Sequence, residues 1–244
     1  QLPDTVRPLK YHLTLTPDLA RFTFAGEEQV EVEVLKPTSQ VVMNALDLQV
    51  ESAWLTRPGG TMTNAAKIEH DEKRETVTVT FGAPLQPGVA QLTLRFTGIL
   101  NDRLHGFYRS AYQSNDGVTH TMACTQFEPT DARRAFPCWD EPSIKATFEC
   151  TLVIPQSLTA VSNTLIASET LRGDGLKEVR FQESPLMSTY LVAFIVGELE
   201  SVEGAAANGT LIRVFATPGR AAHGRFALET AIKVLAYYND NFGV

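Results

Sequence analysis

No run of apolar residues in this sequence is long enough to cross a bilayer: the longest, Tyr190 to Val196, falls far short of the about 20 residues that a spanning helix needs. Cysteine is scarce. Cys124, Cys138 and Cys150 make neither an even framework nor a C-x-x-C pair, which argues against a disulfide scaffold and permits a reducing compartment. His120 and Cys124 can share one strand face, yet no second closely spaced pair completes a four-ligand metal site. A lone cysteine is ordinarily a small buried hydrophobe rather than a nucleophile. Basic charge is thin as well: 21 Lys plus Arg stand against 28 Asp plus Glu, a formal net charge of −7, and no basic run exceeds Arg133-Arg134. Neither nucleic acid nor an anionic membrane fits as the main partner of such a surface. None of His12, His70, His105, His120 or His223 is followed by Glu, so the H-E-x-x-H helix of a metallopeptidase is missing. A G-x-S-x-G elbow, a Walker loop and a dinucleotide fingerprint are missing too.

What is present is alternation. Tyr11, Leu13 and Leu15 take turns with His12, Thr14 and Thr16, the pattern of a half-buried strand. After Pro17-Asp18, Phe22 and Phe24 lead through Gly26 to Val30, Val32 and Val34, interleaved with Gln29, Glu31 and Glu33. The same period runs through "VVMNALDLQV", through Val77, Val79 and Phe81, through Leu92, Leu94 and Phe96, and from Ala146 to Ile154. "EVRFQ", "TYLVAFIVGELESV" and "LIRVFATP" are further strand candidates. Pro58-Gly59-Gly60 and Pro87-Gly88 mark turns, and the charge run 71–75 reads as a solvated hairpin tip. No fixed repeat is visible, and no segment before Thr217 keeps a helical period. The expectation is a mainly β fold of antiparallel sheets stacked as a sandwich, with more than ten strands.

At the end the period changes. Ala227, Ala231, Val234, Leu235 and Tyr238 form one helical stripe, with Gly243 placed to stop it. A single helix after a β-domain lacks a partner of its own kind. Residues 1–216 are therefore read as a β-domain and 217–244 as the first helix of a further, truncated domain. The start at Gln1 and the finish at Gly243-Val244 read as cut ends, so the lack of a leader says little about compartment.

One segment obeys neither period. "TQFEPTDARRAFPCWDEP", 125–142, packs Gln126, Glu128, Asp131, Arg133, Arg134, Asp140 and Glu141 around Phe127, Phe136, Pro137 and Trp139. Polar groups on a loop held by rigid apolar anchors are a candidate binding feature. The three aromatics are expected in the core, and Asp131, Arg133, Asp140 and Glu141 in ion pairs and caps.

This segment, followed by "KATFECTLVIP" and "MSTYLVAFIVGELE", resembles the amino-terminal domain of the zinc aminopeptidases of the aminopeptidase N family. The opening, "LPDTVRPLKYHLTLTPDLARFTFAGEEQVEV" with "QVVMNALDLQV", resembles the puromycin-sensitive branch in particular. The likeness covers essentially the whole chain. It implies a saddle-shaped β-domain resting on a thermolysin-like catalytic domain that carries a Gly-x-Met-Glu-Asn loop, the H-E-x-x-H helix and a glutamate as third zinc ligand. On that resemblance the chain stops short of the Gly-x-Met-Glu-Asn loop. Zinc then belongs to the full-length enzyme and not to this piece, which is expected to be inactive alone.

The resemblance also assigns roles. Glu128 would reach across the domain boundary to the free α-amine of a peptide substrate, and Gln126 would line the pocket for its first side chain. A kinked Glu128-Pro129 with a cis peptide is expected on the same ground. The chemistry suits an exopeptidase, which must measure from a charged amine. An arbitrary loop Glu is a surface charge or a cap; the motif reverses that reading here. The implied partners are a peptide with a free N-terminus and the catalytic domain of the same chain, with no nucleic acid and no membrane segment. The expected compartment is cytoplasmic, or secretory if a leader was trimmed. Rival readings are a non-catalytic scaffold retaining this domain, the leukotriene-hydrolase branch, which departs from the "QFE-Pro" wording, and a free-standing binding sandwich.

Overall fold

The computed structural model describes residues 1–114 and 116–243. Its contacts divide the chain into two units, one of Gln1–Ser110, Met122–Gln156 and Ala160–Val196, the other of Ala111–Thr121, Ser157–Thr159 and Gly197–Val244. The strands in chain order are β1 (Val6–Asp18), β2 (Thr23–Val34), β3 (Thr38–Asn44), β4 (Leu48–Thr56), β5 (Met62–Asp71) and β6 (Thr76–Leu85). They continue as β7 (Gly88–Ile99), β8 (Gly106–Gln113), β9 (Thr119–Gln126), β10 (Lys145–Pro155), β11 (Thr159–Ser162) and β12 (Ile166–Leu171). The last are β13 (Leu176–Phe181), β14 (Met187–Ser188), β15 (Phe194–Gly197), β16 (Glu200–Ala205) and β17 (Leu211–Ala216), before the one α-helix among the described residues, α1 (Arg225–Phe242). The fold is mainly β, as the alternation predicts. No described helix is long and apolar enough to cross a membrane.

An 11-stranded sheet runs β12-β13-β10-β1-β2-β7-β4-β5-β6-β3, with β14 on β10. β1 and β2 pair antiparallel from Val6 opposite Val34 to Asp18 opposite Thr23. β1 and β10 instead run parallel, Tyr11 beside Phe148 and Leu13 beside Cys150, a departure from the all-antiparallel expectation. The connection between them, β2 to β9 plus the 127–142 segment, is long enough to bring β10 back in either direction, whereas a tight turn forces antiparallel pairing. "VVMNALDLQV" is likewise two strands rather than one. The chain turns at 45–47, where Asp47 takes a positive φ of 57°, so β3 pairs with β6 and β4 with β7.

Two aromatic–glycine pairs lock β2 to β7. Gly26 lies opposite Phe96 and Phe24 opposite Gly98, each ring filling the space where a side chain is missing on the neighbouring strand. A Cβ on Gly26 would stand 2.3 Å from Phe96 Cε2, well inside contact distance. Gly26→Ala is therefore expected to cost about 1–3 kcal/mol, the usual penalty of overpacking a tight core. Urea unfolding checks this, and an unchanged midpoint would mean that Phe96 has room to move aside.

An aromatic chain continues from there beneath the irregular segment. Phe24 stands 5.1 Å from Phe107, which stands 4.9 Å from Phe194; Phe194 meets Phe127 at 6.0 Å, Phe127 meets Phe136 at 6.1 Å, and Phe136 meets Tyr11 at 5.9 Å between ring centroids. Edge-on contacts of this kind add to the area that large rings bury.

In the second unit β16 and β17 form a hairpin from Glu200 opposite Ala216 to Ala205 opposite Leu211. α1 packs on it: Leu228 is buried, and the Leu228 and Ile232 side chains lie over Gly204. The covered face thus runs through buried Leu228 and half-buried Ile232; of the expected stripe Ala231 and Leu235 are half-buried, while Ala227, Val234 and Tyr238 are exposed. Ala227 counts as apolar in the expected stripe yet stays exposed, and its neighbour Leu228 is the side chain that is buried. Gly243 ends the helix with φ 70°, its N–H donating to Asn239 O. The expected helical stretch reached Val244, which lies outside the described residues.

Candidate substrate-binding segment

β9 ends at Gln126, and Phe127 is then buried while Gln126 and Glu128 stay exposed on either side of it. The Glu128-Pro129 peptide is cis, as expected from the sequence. Gln126 Nε2 donates to Glu128 O across 3.5 Å. Asp131 N donates to Phe127 O at 2.8 Å, closing the turn, and a single 3₁₀ turn follows at Ala132–Arg134. Phe136, Cys138 and Trp139 are buried, so the segment is seated in the core at both its ends.

The charges of the segment are nearly all engaged. Arg133 Nε donates to Asp140 Oδ2 at 3.0 Å and its NH1 to Glu75 Oε2 at 2.7 Å. Arg134 Nε donates to Asp131 Oδ1 at 2.7 Å, and its NH1 is paired with Asp47. His105 Nδ1 lies 3.3 Å from the same Asp131 oxygen. Asp140 Oδ1 accepts from Thr189 Oγ1 at 2.6 Å, and Glu141 Oε1 accepts from Leu2 N at 2.9 Å. Burial pulls the Arg133 guanidinium toward losing its proton, but Asp140 and Glu75 outweigh it and hold the group above its ordinary value. These are the ion pairs and caps expected of Asp131, Arg133, Asp140 and Glu141. Glu128 is different. Among the described residues it is the one carboxylate of 125–142 whose side chain has no partner.

Residues 7–191 match the Peptidase M1 N-terminal domain. The chain belongs to that family. Aminopeptidase M1-C of Oryza sativa subsp. japonica is 44% identical over 242 residues, covering 99% of this chain and 27% of its own length. Aminopeptidase M1 of Arabidopsis thaliana is 44% identical over 247 residues, covering 100% of this chain and 28% of its own. Puromycin-sensitive aminopeptidase of Caenorhabditis elegans is 39% identical over 245 residues, covering 100% and 26%. The chain thus spans about a quarter of the length of the curated relatives it matches.

Other places in this M1 N-terminal domain carry less chemistry. Two surface grooves, of about 1070 and 970 Å³, are lined by residues of the 11-stranded sheet and of the segment, but neither includes Gln126 or Glu128. Burial pushes the Cys124 thiol up to about 11 and Cys150 to about 12, so neither is a thiolate near neutral pH. Among the described residues no three His, Cys, Asp or Glu side chains gather as metal ligands. In the second unit His120 Nε2 lies 3.1 Å from Ser114 Oγ and its Nδ1 3.3 Å from Glu198 Oε2, a relay of nucleophile, base and acid in outline. The Ser114 hydroxyl, however, is directed at Asp116 Oδ1 and Val118 O, which makes it a turn brace. Sequence reasoning missed Glu75, placed on a solvated tip, because its link to Arg133 is non-local. No signal in the 71–75 run marks it.

Proposed function

We propose that this chain is the N-terminal domain of a zinc metalloaminopeptidase that removes N-terminal amino acids from peptides, with Glu128 meeting the substrate's α-ammonium and Gln126 lining the pocket for the first side chain. The observation that carries the reading is the unpartnered Glu128 carboxylate beside a Gln, held by a segment whose other carboxylates are spent on structure. A carboxylate free of internal partners loses no ion pair when it accepts an ammonium, and the buried Phe127 between the two side chains fixes their spacing. Membership of the M1 family and the aminopeptidase names of the relatives support the reaction class.

Residues 217–244 open the catalytic domain in this reading, residues 1–216 being the β-domain, and the enzyme works in the cytoplasm. Zinc would be held by the catalytic domain in this reading, since no three His, Cys, Asp or Glu side chains gather as ligands among the described residues. This domain's part is to bind and orient.

The test compares the full-length protein with residues 1–244 alone. The full-length protein is expected to release the first residue of free-amine peptides and to hold about one zinc per chain. The isolated piece is expected to do neither. Full-length protein without aminopeptidase activity would favour the scaffold reading, and one tightly bound zinc on the isolated piece would overturn the assignment of the metal.

A further inference from the structure

Glu28 occupies a position built for a hydrophobe. It faces the core from β2 between Gly26 and Val30, with Leu13 of β1 on one side and Leu94 of β7 on the other. Its exposure is 0%, and neither carboxyl oxygen has a hydrogen-bond partner among the described residues. Asp140, also buried, shows the contrast: Arg133, Thr189 and the Arg133 backbone all donate to it. The titratable groups that sense Glu28 are Tyr11 of β1 and Cys138 of the irregular segment, both acids, and both buried. Asp140 acts on the same two groups. Among the described residues the cation that acts on this cluster is Arg133, which touches Cys138 electrostatically but is engaged by Asp140 and Glu75. Among the described residues an ionised Glu28 would therefore meet the aliphatic side chains of Leu13 and Leu94 and the acids Tyr11 and Cys138. Tyr11 ties the cluster to the segment, because its hydroxyl accepts from Trp139 N at 3.3 Å.

We propose that the folded chain carries Glu28 as a neutral carboxylic acid and uses it as a proton-dependent latch for the 127–142 segment, whose buried Trp139 is tied by its N–H to the hydroxyl of the buried Tyr11. Loss of that proton places an unpaired charge in the core and loosens the segment from β1 and β2. The latch stands whether or not Glu128 binds an amine. Burial is the cause of the upward displacement of the Glu28 carboxyl, well above the ordinary carboxylate value. With the folded value above the unfolded one of about 4.3, the stabilisation is fully present below about 4.3 and is lost as pH rises through the folded value. Over that window the folded state holds one proton more, so the unfolding constant rises by up to about tenfold per pH unit.

The experiment is urea unfolding of the 244-residue chain across pH for wild type, Glu28→Gln and Glu28→Leu, with amide hydrogen exchange of wild type and variants at one alkaline pH. Both variants are expected to lose the fall in stability that sets in above about pH 4.3, and to exchange more slowly than wild type across 127–142. An unaltered pH slope in the variants overturns the proposal, and so does extra alkaline exchange confined to other parts of the chain. Infrared spectra of wild type carrying isotope-labelled Glu decide independently of whether the variants fold. A protonated side-chain carboxyl at neutral pH, lost as the segment loosens at high pH, supports the latch; a fully ionised Glu set at neutral pH refutes it.

Discussion

Glu128→Gln in the full-length protein is expected to lower kcat/KM on free-amine substrates by roughly thirty- to a thousand-fold while leaving the thermal midpoint almost unchanged. Gln keeps the shape and removes the charge, so a substrate ammonium brought to this place loses its counter-ion. Removing one partner of a desolvated charge pair weakens binding by that order, and an interaction used to position the scissile bond is felt in kcat/KM. Stability is spared because the Glu128 side chain is exposed and has no bonding partner among the described residues. Gln126→Ala is expected to shift the preference among first side chains more than the overall rate, since a pocket-wall contact discriminates by only about 1–3 kcal/mol. The measurement is kcat/KM on matched peptides with free and acetylated amines, next to melting curves. An intact free-amine rate in Glu128→Gln, or a loss tracking unfolding, removes Glu128 from the site.

Period-two alternation made the strands around Tyr11, Val30, Leu92 and Phe148 legible, because each has one wet and one dry face. It did not extend to 125–142, which obeys neither period, so Gln126 and Glu128 were singled out by a resemblance, and so was the role proposed for them. What alternation does not carry is strand order. Nothing in Tyr11–Leu15 or Ala146–Ile154 says that β1 and β10 lie side by side and parallel, since register across a long connection is set by the assembled core. Glu28 was invisible for a related reason. Between Gly26 and Val30 a reader passes over a charged residue, although its even spacing puts it on the dry face with Phe24, Val30 and Val32. The helix face was legible in part: Ala231 and Leu235 of the expected stripe are half-buried, whereas Ala227 counts as apolar while Leu228 is the side chain that packs.

Asp140→Ala is expected to destabilise the chain by about 3–5 kcal/mol, the range for breaking a buried ion pair from one side. Asp140 is 3% exposed, and its carboxylate receives Arg133 Nε at 3.0 Å and Thr189 Oγ1 at 2.6 Å. Without it, Arg133 keeps Glu75 across 2.7 Å and the backbone oxygen of residue 140 across 3.3 Å, with its own side chain 12% exposed, and the Thr189 hydroxyl loses its acceptor. The size of the loss comes from the stranded charge more than from the bond itself, so replacing both partners separates the two. Arg133→Leu combined with Asp140→Leu is expected to cost less than the sum of the single changes, a coupling that urea unfolding of all four proteins measures. Such a result makes the Arg133–Asp140 pair the clamp that holds the stretch after Glu128 against the 11-stranded sheet. A loss below about 1 kcal/mol for Asp140→Ala, the worth of one ordinary hydrogen bond, would instead assign the seating of the segment to Phe127, Phe136 and Trp139 alone.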